Sequence, residues 1–248
     1  MTDRATPVPP DRRAELAAGL ARVRARIADA CAAAGRDHTE VTMIAVTKTY
    51  PASDVVALAG LGVPDMGENR DQEAAPKAAE VAAAGAHPRW HFIGQLQRNK
   101  CRSVVRYADV VHSVDSVRLA GALGVAAERG RDRPLEVLVQ VSIDGDPARG
   151  GALPGSADPE RGLDRVAEAV AAAGPLRLAG LMAVAPLGWE PERAFATLAG
   201  VAEGFRAAHP QAVALSAGMS GDLEAAIAYG ATHVRVGSAL LGMRPTLR

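Results

Sequence analysis

Between Asp11 and Gly35 the apolar residues Leu16, Leu20, Val23, Ile27 and Cys31 follow one another at steps of four, three, four and four. That stripe predicts an amphipathic helix, with Arg and Asp on its other face and Gly35 as its stop. Beyond it the pattern changes to short β-branched runs separated by Ala-rich stretches. The runs at 41–48, 65–69, 90–94, 110–115, 135–143, 176–184, 212–217 and 234–240 predict eight strands. Several of the helical stretches between them open on a candidate N-cap: Ser53, Ser116, Asp158 and Ser220. Eight strands alternating with eight helical segments in 248 residues predict an α/β fold, a single (β/α)8 TIM barrel with an extra N-terminal helix and no second β domain. A doubly wound open sheet is the runner-up, weakened because no G-x-G-x-x-G follows the first strand. Residues 1–10 are expected to be a disordered tail and 11–248 one domain. The Gly- and Pro-rich stretch 144–162 predicts a long, mobile βα loop on the functional face, because strand and helix alternate again after it.

Composition narrows the chemistry. Hydrophobic residues make up 48% of the chain but aromatics only 3%, so the core is aliphatic. Lys plus Arg equals Asp plus Glu at 28 each, which gives no reason to expect nucleic acid or a membrane surface as a partner. Cys31 and Cys101 make no disulfide framework and suit a reducing cytosol. The N-terminal stretch has no apolar run after its charges, so no signal peptide is expected. No stretch reaches the ~20 apolar residues of a membrane span. A cytoplasmic protein is the expectation.

The first strand raises a specific question, because the run VTMIAVT ends in Lys48. Side chains alternate along a strand, so Thr42, Ile44, Val46 and Lys48 share one face. If that face points into the barrel, Lys48 projects from the mouth, where this fold keeps its catalytic groups. A lysine desolvated there could attack a carbonyl as a free amine and form a Schiff base; the alternative is a lysine that snorkels to the surface. Gly218, Met219, Ser220 and Gly221 follow strand seven, and Gly237 and Ser238 lie near the end of strand eight. Loops at those two places form the usual phosphate site of the fold, where small residues let backbone N–H groups approach the oxygens. Asp222 argues against a phosphate there unless it turns away. Arg235 is charged in mid-strand, which requires a ligand or an ion partner such as Glu68. A lysine, a phosphate cradle and an arginine at one mouth point to a carbonyl-bearing phosphate. Pyridoxal 5′-phosphate (PLP) satisfies all three, and a sugar phosphate in a Schiff-base aldolase would also.

The histidines read as packing. His91 and His112 lie on strands three and four, whereas His233 begins strand eight, at the opposite end of the barrel, and the spacing is not that of a metal site. The cationic QRNKCR, with Arg98, Lys100 and Arg102, reads as a solvated helix face.

The segments AVTKTYP, GEN followed by QE, WHFIGQLQRNK, HSVD, GLM and GMSGDLEAAIAYGATHVRVGSALLG together resemble the pyridoxal phosphate homeostasis (PLP-binding) protein family, from about Val41 to Met243. The resemblance implies an alanine-racemase N-terminal-type barrel that carries PLP on a lysine, without robust catalytic activity, in intracellular vitamin B6 balance. By motif, Lys48 resembles the Schiff-base lysine and Asn69 a contact lining the cofactor pocket. Ser216, Met219 and Ser220 match the phosphate-binding loop, Gly237 and Ser238 the second phosphate-binding stretch, and Arg235 the arginine facing the pyridine nitrogen. Ser238 stands where the family usually has threonine, and Arg70 where a tyrosine is common. An arginine at the ring nitrogen cannot give up its proton at neutral pH, which weakens the cofactor as an electron sink. The related racemases draw a second proton-transfer group from a C-terminal domain of a partner subunit, and this chain stops just after strand eight. A PLP carrier, a monomer serving PLP-dependent apoenzymes, is therefore expected; a weak amino-acid racemase is the alternative, and Tyr50 is the residue near Lys48 whose aim decides part of that choice.

Overall fold

A computed structural model of the chain describes residues 8–146 and 149–242. Its strands are β1 (Thr42–Val46), β2 (Asp65–Glu68), β3 (Arg89–Phe92), β4 (Val110–Val114), β5 (Leu135–Gln140), β6 (Leu176–Met182), β7 (Ala214–Ser216) and β8 (His233–Val236). Each pairs in parallel with the next, and β8 pairs with β1, which closes an eight-stranded barrel. The helices are α1 (Pro10–Ala33), α2 (Ala52–Gly60), α3 (Asp71–Ala83), α4 (Cys101–Val104), α5 (Val117–Gly130), α6 (Leu163–Ala172), α7 (Pro191–Ala208), α8 (Leu223–Ala228) and α9 (Ser238–Leu241). The expected TIM barrel with an extra leading helix is therefore the fold.

All eight expected strands exist, and most end sooner than the sequence pattern suggests. Lys48, Asn69, Gly94 and Asp115 lie past the last paired residues, in the loops of the mouth. Pro10, expected at the end of the tail, already opens α1; residues 1–7 lie outside the described residues. Three of the four candidate N-caps do not cap. Ser53 lies inside α2, whose cap is Pro51; Asp158 caps a turn by accepting from the N–H groups of Glu160 and Arg161; and Ser220 precedes Asp222, the residue at the cap of α8. Ser116 is at the cap of α5, but its side chain makes no capping bond.

The core is layered. Outward-facing Ala45, Met66, Val234 and Val236 pack under α1 and α2, and Val111, Val137 and Val139 pack under α5 and α6. Inside the barrel a small aliphatic cluster, Val110, Leu138, Ala179 and Met182, fills only one side. The other side is polar: Asp65, His91, His112, Ser216 and Arg235 are all buried. An interior of branched aliphatics is the norm for this fold, so the polar half needs an explanation. The loop at 144–162 is fastened by bridges Val141 to Ala152 and Leu153 to Gly162, and Arg149 bonds Asp144 and the carbonyls of Val184 and Ala185. Pro147 and Ala148 of that loop lie outside the described residues.

The extra helix supports the mouth from behind. A Cβ on Gly19 of α1 would sit 2.2 Å from the carbonyl oxygen of Leu240 in α9, so only glycine allows this approach. Arg26 of α1 bonds Glu224 and the carbonyl oxygen of Ser220. The two loops after β7 and β8 are thus braced by one helix.

Candidate functional site

Side-chain parity along β1 is as expected. Ile44 and Val46 point inward, for a Cβ on Gly67 of β2 would meet both, with Ile93. Lys48 continues that face and emerges half-buried at the mouth. Together with Val46, Tyr50 and Ile93 it lines a cavity of about 560 Å³, within the usual size range of small-molecule pockets. The other walls are Met219, Ser220 and Gly221 after β7, and Arg235, Gly237 and Ser238 of β8 and its end. Six of the eight residues singled out from the sequence therefore meet in one cavity.

The turn that carries Lys48 is clamped from below. Thr47 is fully buried, and its hydroxyl donates to Glu68 Oε1 at 2.7 Å. Lys77 of α3 reaches the same Oε1 at 2.7 Å and donates to the Thr47 carbonyl at 2.8 Å. Glu68 Oε2 is buried with no partner among the described residues. Thr49, next to Lys48, takes φ +67, a left-handed conformation that costs a β-branched residue energy. Tyr50 donates its hydroxyl proton to the Gly242 carbonyl at 2.7 Å. Its ring lines the cavity while its hydroxyl is committed elsewhere.

Arg235 is buried beneath the cavity on β8, the strand next to β1, level with Ile44. The ion pair with Glu68 considered from sequence does not form, because Glu68 faces outward to Lys77. Arg235 instead donates from Nη1 to both oxygens of Ser216 at 2.8 Å and from Nη2 to the Ala183 carbonyl at 2.9 Å. Burial pushes its pKa down to about 10, still well above neutrality, so it remains a cation. Asp222 does turn away. Its carboxylate accepts from the Met219 N–H, and no carboxylate is among the described residues lining the cavity. That bond also occupies the Met219 amide, so Met219 contributes a side chain to the mouth rather than a donor. The Ser220 hydroxyl accepts from the Ala239 N–H at 3.4 Å, joining the two loops.

Two of the eight residues lie elsewhere. Asn69 lines an adjacent cavity of about 450 Å³ with Arg70, Gln95 and Lys100. It sits there because the loops after β2 and β3 touch: a Cβ on Gly94 would lie 2.0 Å from the Asn69 carbonyl oxygen. Ser216 is fully buried one layer below the cavity, between Arg235 and His112. The histidines correct a further expectation. His233 is not remote from the others; its ring centre lies 6.4 Å from those of both His91 and His112. Strand stagger explains this. Ser216, the last residue of β7, pairs with His233, the first of β8, which lifts the start of β8 to that level. Lys77, Glu68, His91, His112 and Asp65 are the site's supports that sequence reasoning missed. The motifs GEN, WHFIGQLQRNK and HSVD contain Glu68, His91 and His112 but gave no sign of these roles. Among the described residues no group of three or more His, Cys, Asp or Glu side chains converges as a metal site, and no helix is long and apolar enough to cross a membrane.

Among the described residues the cavity's donors are an amine, a guanidinium and two serine hydroxyls, with no acid beside them. That set fits an anionic ligand bearing a carbonyl. Comparison with known proteins points the same way. The family model described as alanine racemase, N-terminal domain, matches residues 19–245. The pyridoxal phosphate homeostasis protein of Mycobacterium tuberculosis (strain ATCC 25618 / H37Rv) is 46% identical over 253 residues, covering 95% of each chain. A crystal structure of an unknown protein from Bifidobacterium adolescentis superposes with TM-score 0.84 at 32% identity, over 97% of this chain and 100% of that one. PipY of Synechococcus elongatus, in a structure with PLP bound, gives TM-score 0.75 at 32% identity, over 92% of this chain and 100% of PipY. With matches of this extent to both the family model and its full-length relatives, the chain belongs to the pyridoxal phosphate homeostasis protein family.

Proposed function

We propose that this protein binds PLP at the Lys48 cavity and serves intracellular PLP homeostasis, holding the cofactor as a Schiff base on Lys48 and catalysing no robust reaction. The observation that carries the reading is the meeting of Lys48, Arg235, Ser220, Gly237 and Ser238 around one cavity, with no carboxylate among its described lining residues. When bound, PLP supplies an aldehyde and an electron-withdrawing ring. Lys48 is the amine that anchors it. Ser220 with the Gly237–Ser238 turn would hold the phosphate, and Met219 would cover the mouth. Arg235 would donate to the ring nitrogen and, being donor-only at neutral pH, leave that nitrogen unprotonated. Asn69 would act from the adjacent cavity, and Ser216 from beneath Arg235.

One feature favours a carrier over a racemase, whereas Arg235, which weakens the ring as an electron sink, sets both apart only from a transaminase. The Tyr50 hydroxyl, the nearest candidate for a second proton-transfer group, is spent on the Gly242 carbonyl. We place the protein in the cytoplasm as a monomer, with PLP-dependent apoenzymes as recipients; its two buried free cysteines agree with a reducing compartment. The test is the absorbance spectrum with PLP for wild type and Lys48→Ala, then borohydride reduction and peptide mapping, with amino-acid turnover assayed in parallel. We expect a visible band in wild type alone, the reduced adduct on Lys48, and no turnover above free PLP. A band unchanged in Lys48→Ala would overturn the anchor, and saturable racemisation would favour the alternative.

A further inference from the structure

The polar half of the barrel interior forms one continuous line. Arg235 Nη1 meets Ser216 Oγ at 2.8 Å, and Ser216 Oγ meets His112 Nδ1 at 3.0 Å. His112 Nε2 meets His91 Nδ1 at 2.8 Å, and His91 Nε2 meets Asp65 Oδ1 at 2.8 Å. The line starts at the cavity of Lys48 and ends at the barrel floor. There Asp65 lines a second cavity of about 610 Å³ beside α1. It crosses five strands, β8, β7, β4, β3 and β2.

The proton positions along it follow from its first member. Arginine can only donate, so Ser216 Oγ accepts from Arg235. The Ser216 hydroxyl hydrogen then has one acceptor within reach, His112 Nδ1. A ring that accepts at Nδ1 carries its proton on Nε2, so His112 donates to His91 Nδ1. By the same step His91 carries its proton on Nε2 and donates to the Asp65 carboxylate, which can accept. Every donor in the line points away from the mouth, and every member is satisfied. A buried polar network that is complete in this way rigidifies what it holds. His233 lies beside the line but outside it, with Nδ1 on the Thr232 hydroxyl at 2.8 Å.

We propose that Ser216, His112, His91 and Asp65 are positioning residues: a one-directional hydrogen-bond line through the barrel that fixes the Arg235 guanidinium under the mouth and so sets how tightly an anionic aromatic ligand is held there. The line itself is a property of the ligand-free protein. Its effect on affinity rests on the PLP reading above.

The first experiment uses wild-type protein without ligand. Nitrogen-15 NMR of the histidine side chains near neutral pH reports the tautomer of each ring. Both His91 and His112 in the Nε2–H form is the expected result. An Nδ1–H tautomer or a doubly protonated ring at either position would overturn the line. The second experiment measures PLP affinity of wild type, Ser216→Ala, Asp65→Asn and the double variant, with thermal unfolding recorded for each. Ser216→Ala is expected to weaken binding about tenfold, the order lost with one hydrogen bond to a charged group. Asp65→Asn, at the far end, is expected to weaken it about threefold in the wild-type background and not at all in the Ser216→Ala background. Such non-additivity is the mark of residues acting in one network. Equal effects of Asp65→Asn in both backgrounds, or none in either, would sink the coupling. A protein that binds no PLP but gives the expected tautomers would retire the PLP reading and leave the line standing.

Discussion

Lys48 and Arg235 look into the same cavity from neighbouring strands, β1 and β8, and the protein fixes them by different chemistry. Behind Lys48 lies a short, charged clamp: the Glu68–Lys77 pair at 2.7 Å, its side chains 0% and 9% exposed, grips the backbone of the residue before the lysine. Behind Arg235 lies a long line of hydroxyl and imidazole groups, with the charge only at its two ends. The clamp holds a main chain and leaves the Lys48 side chain unencumbered, as the Schiff-base role proposed for it requires. The line holds a side chain by its own atoms, which suits a guanidinium that only has to stay where it is. The two are also built differently in sequence. The clamp joins residues 9 to 30 apart, whereas the step from His112 to Ser216 spans 104.

The sharpest way to break this contrast is to halve the clamp. Lys77→Met leaves Glu68 as a buried carboxylate with only the Thr47 hydroxyl. Removing one member of a buried ion pair costs ~3–5 kcal/mol, which lowers Tm by about 10 °C at this chain length. Thermal unfolding checks it. Glu68→Gln with Lys77→Met together should recover most of the loss, because no charge is then left unpaired. A Lys77→Met protein that melts with wild type would mean that the pair does not bear on the Lys48 turn.

Acid sharpens the other side. Burial holds His112 well below the usual histidine range, and His233 down at about 4. The unfolded chain takes up both protons near pH 6.5, before the native protein does. Stability is therefore fully present above about pH 6.5 and falls as pH drops, by up to ~1.4 kcal/mol per pH unit for each ring. The His233 share levels off once pH passes below about 4; the His112 share continues. Urea unfolding between pH 7.5 and 4.5 measures the slope. His233→Gln should flatten it by about half, and an unchanged slope would remove His233 from the account.

How much of this was legible in the sequence depends on whether a feature is local or set by register. The alternation of β1, the inward face of Arg235 and the stop at Gly35 are local. They need only the two-residue period of a strand or the left-handed preference of a glycine, whose φ here is +66. The barrel follows from counting such segments. Strand ends were less readable, because nothing in the local sequence marks Val46 and Glu68 as the last strand residues. The polar line was not readable at all. His91, His112 and Ser216 come from β3, β4 and β7 and meet only across the interior of the closed barrel. The eye takes WHF and HSVD for packing until that closure is known. Asp222 shows the intermediate case: its charge was visible as a problem, and its solution, a bond back to the Met219 N–H, needed the loop's shape.

The smallest expected effect separates the clamp's hold on the chain from the strain it imposes. Thr49 takes φ +67 immediately after Lys48, and its hydroxyl donates to the Lys48 carbonyl at 2.5 Å. A left-handed conformation costs a non-glycine residue ~1–2 kcal/mol. Thr49→Gly relieves that cost, while the added freedom of the unfolded chain returns ~0.5–1 kcal/mol of it. The net gain in stability is then at most about 1.5 kcal/mol, a Tm rise of a few degrees. The same substitution removes the bond to the Lys48 carbonyl and frees the turn between Thr47 and Tyr50. If the strained turn is what aims Lys48, PLP retention after gel filtration should fall several-fold while Tm holds or rises. Stability and retention falling together would mean that the Thr49 side chain is itself part of the clamp. Retention equal to wild type would mean that Lys77 and Glu68 aim the lysine alone, and the strain at Thr49 would then be a by-product of closing a short turn rather than a device for positioning it.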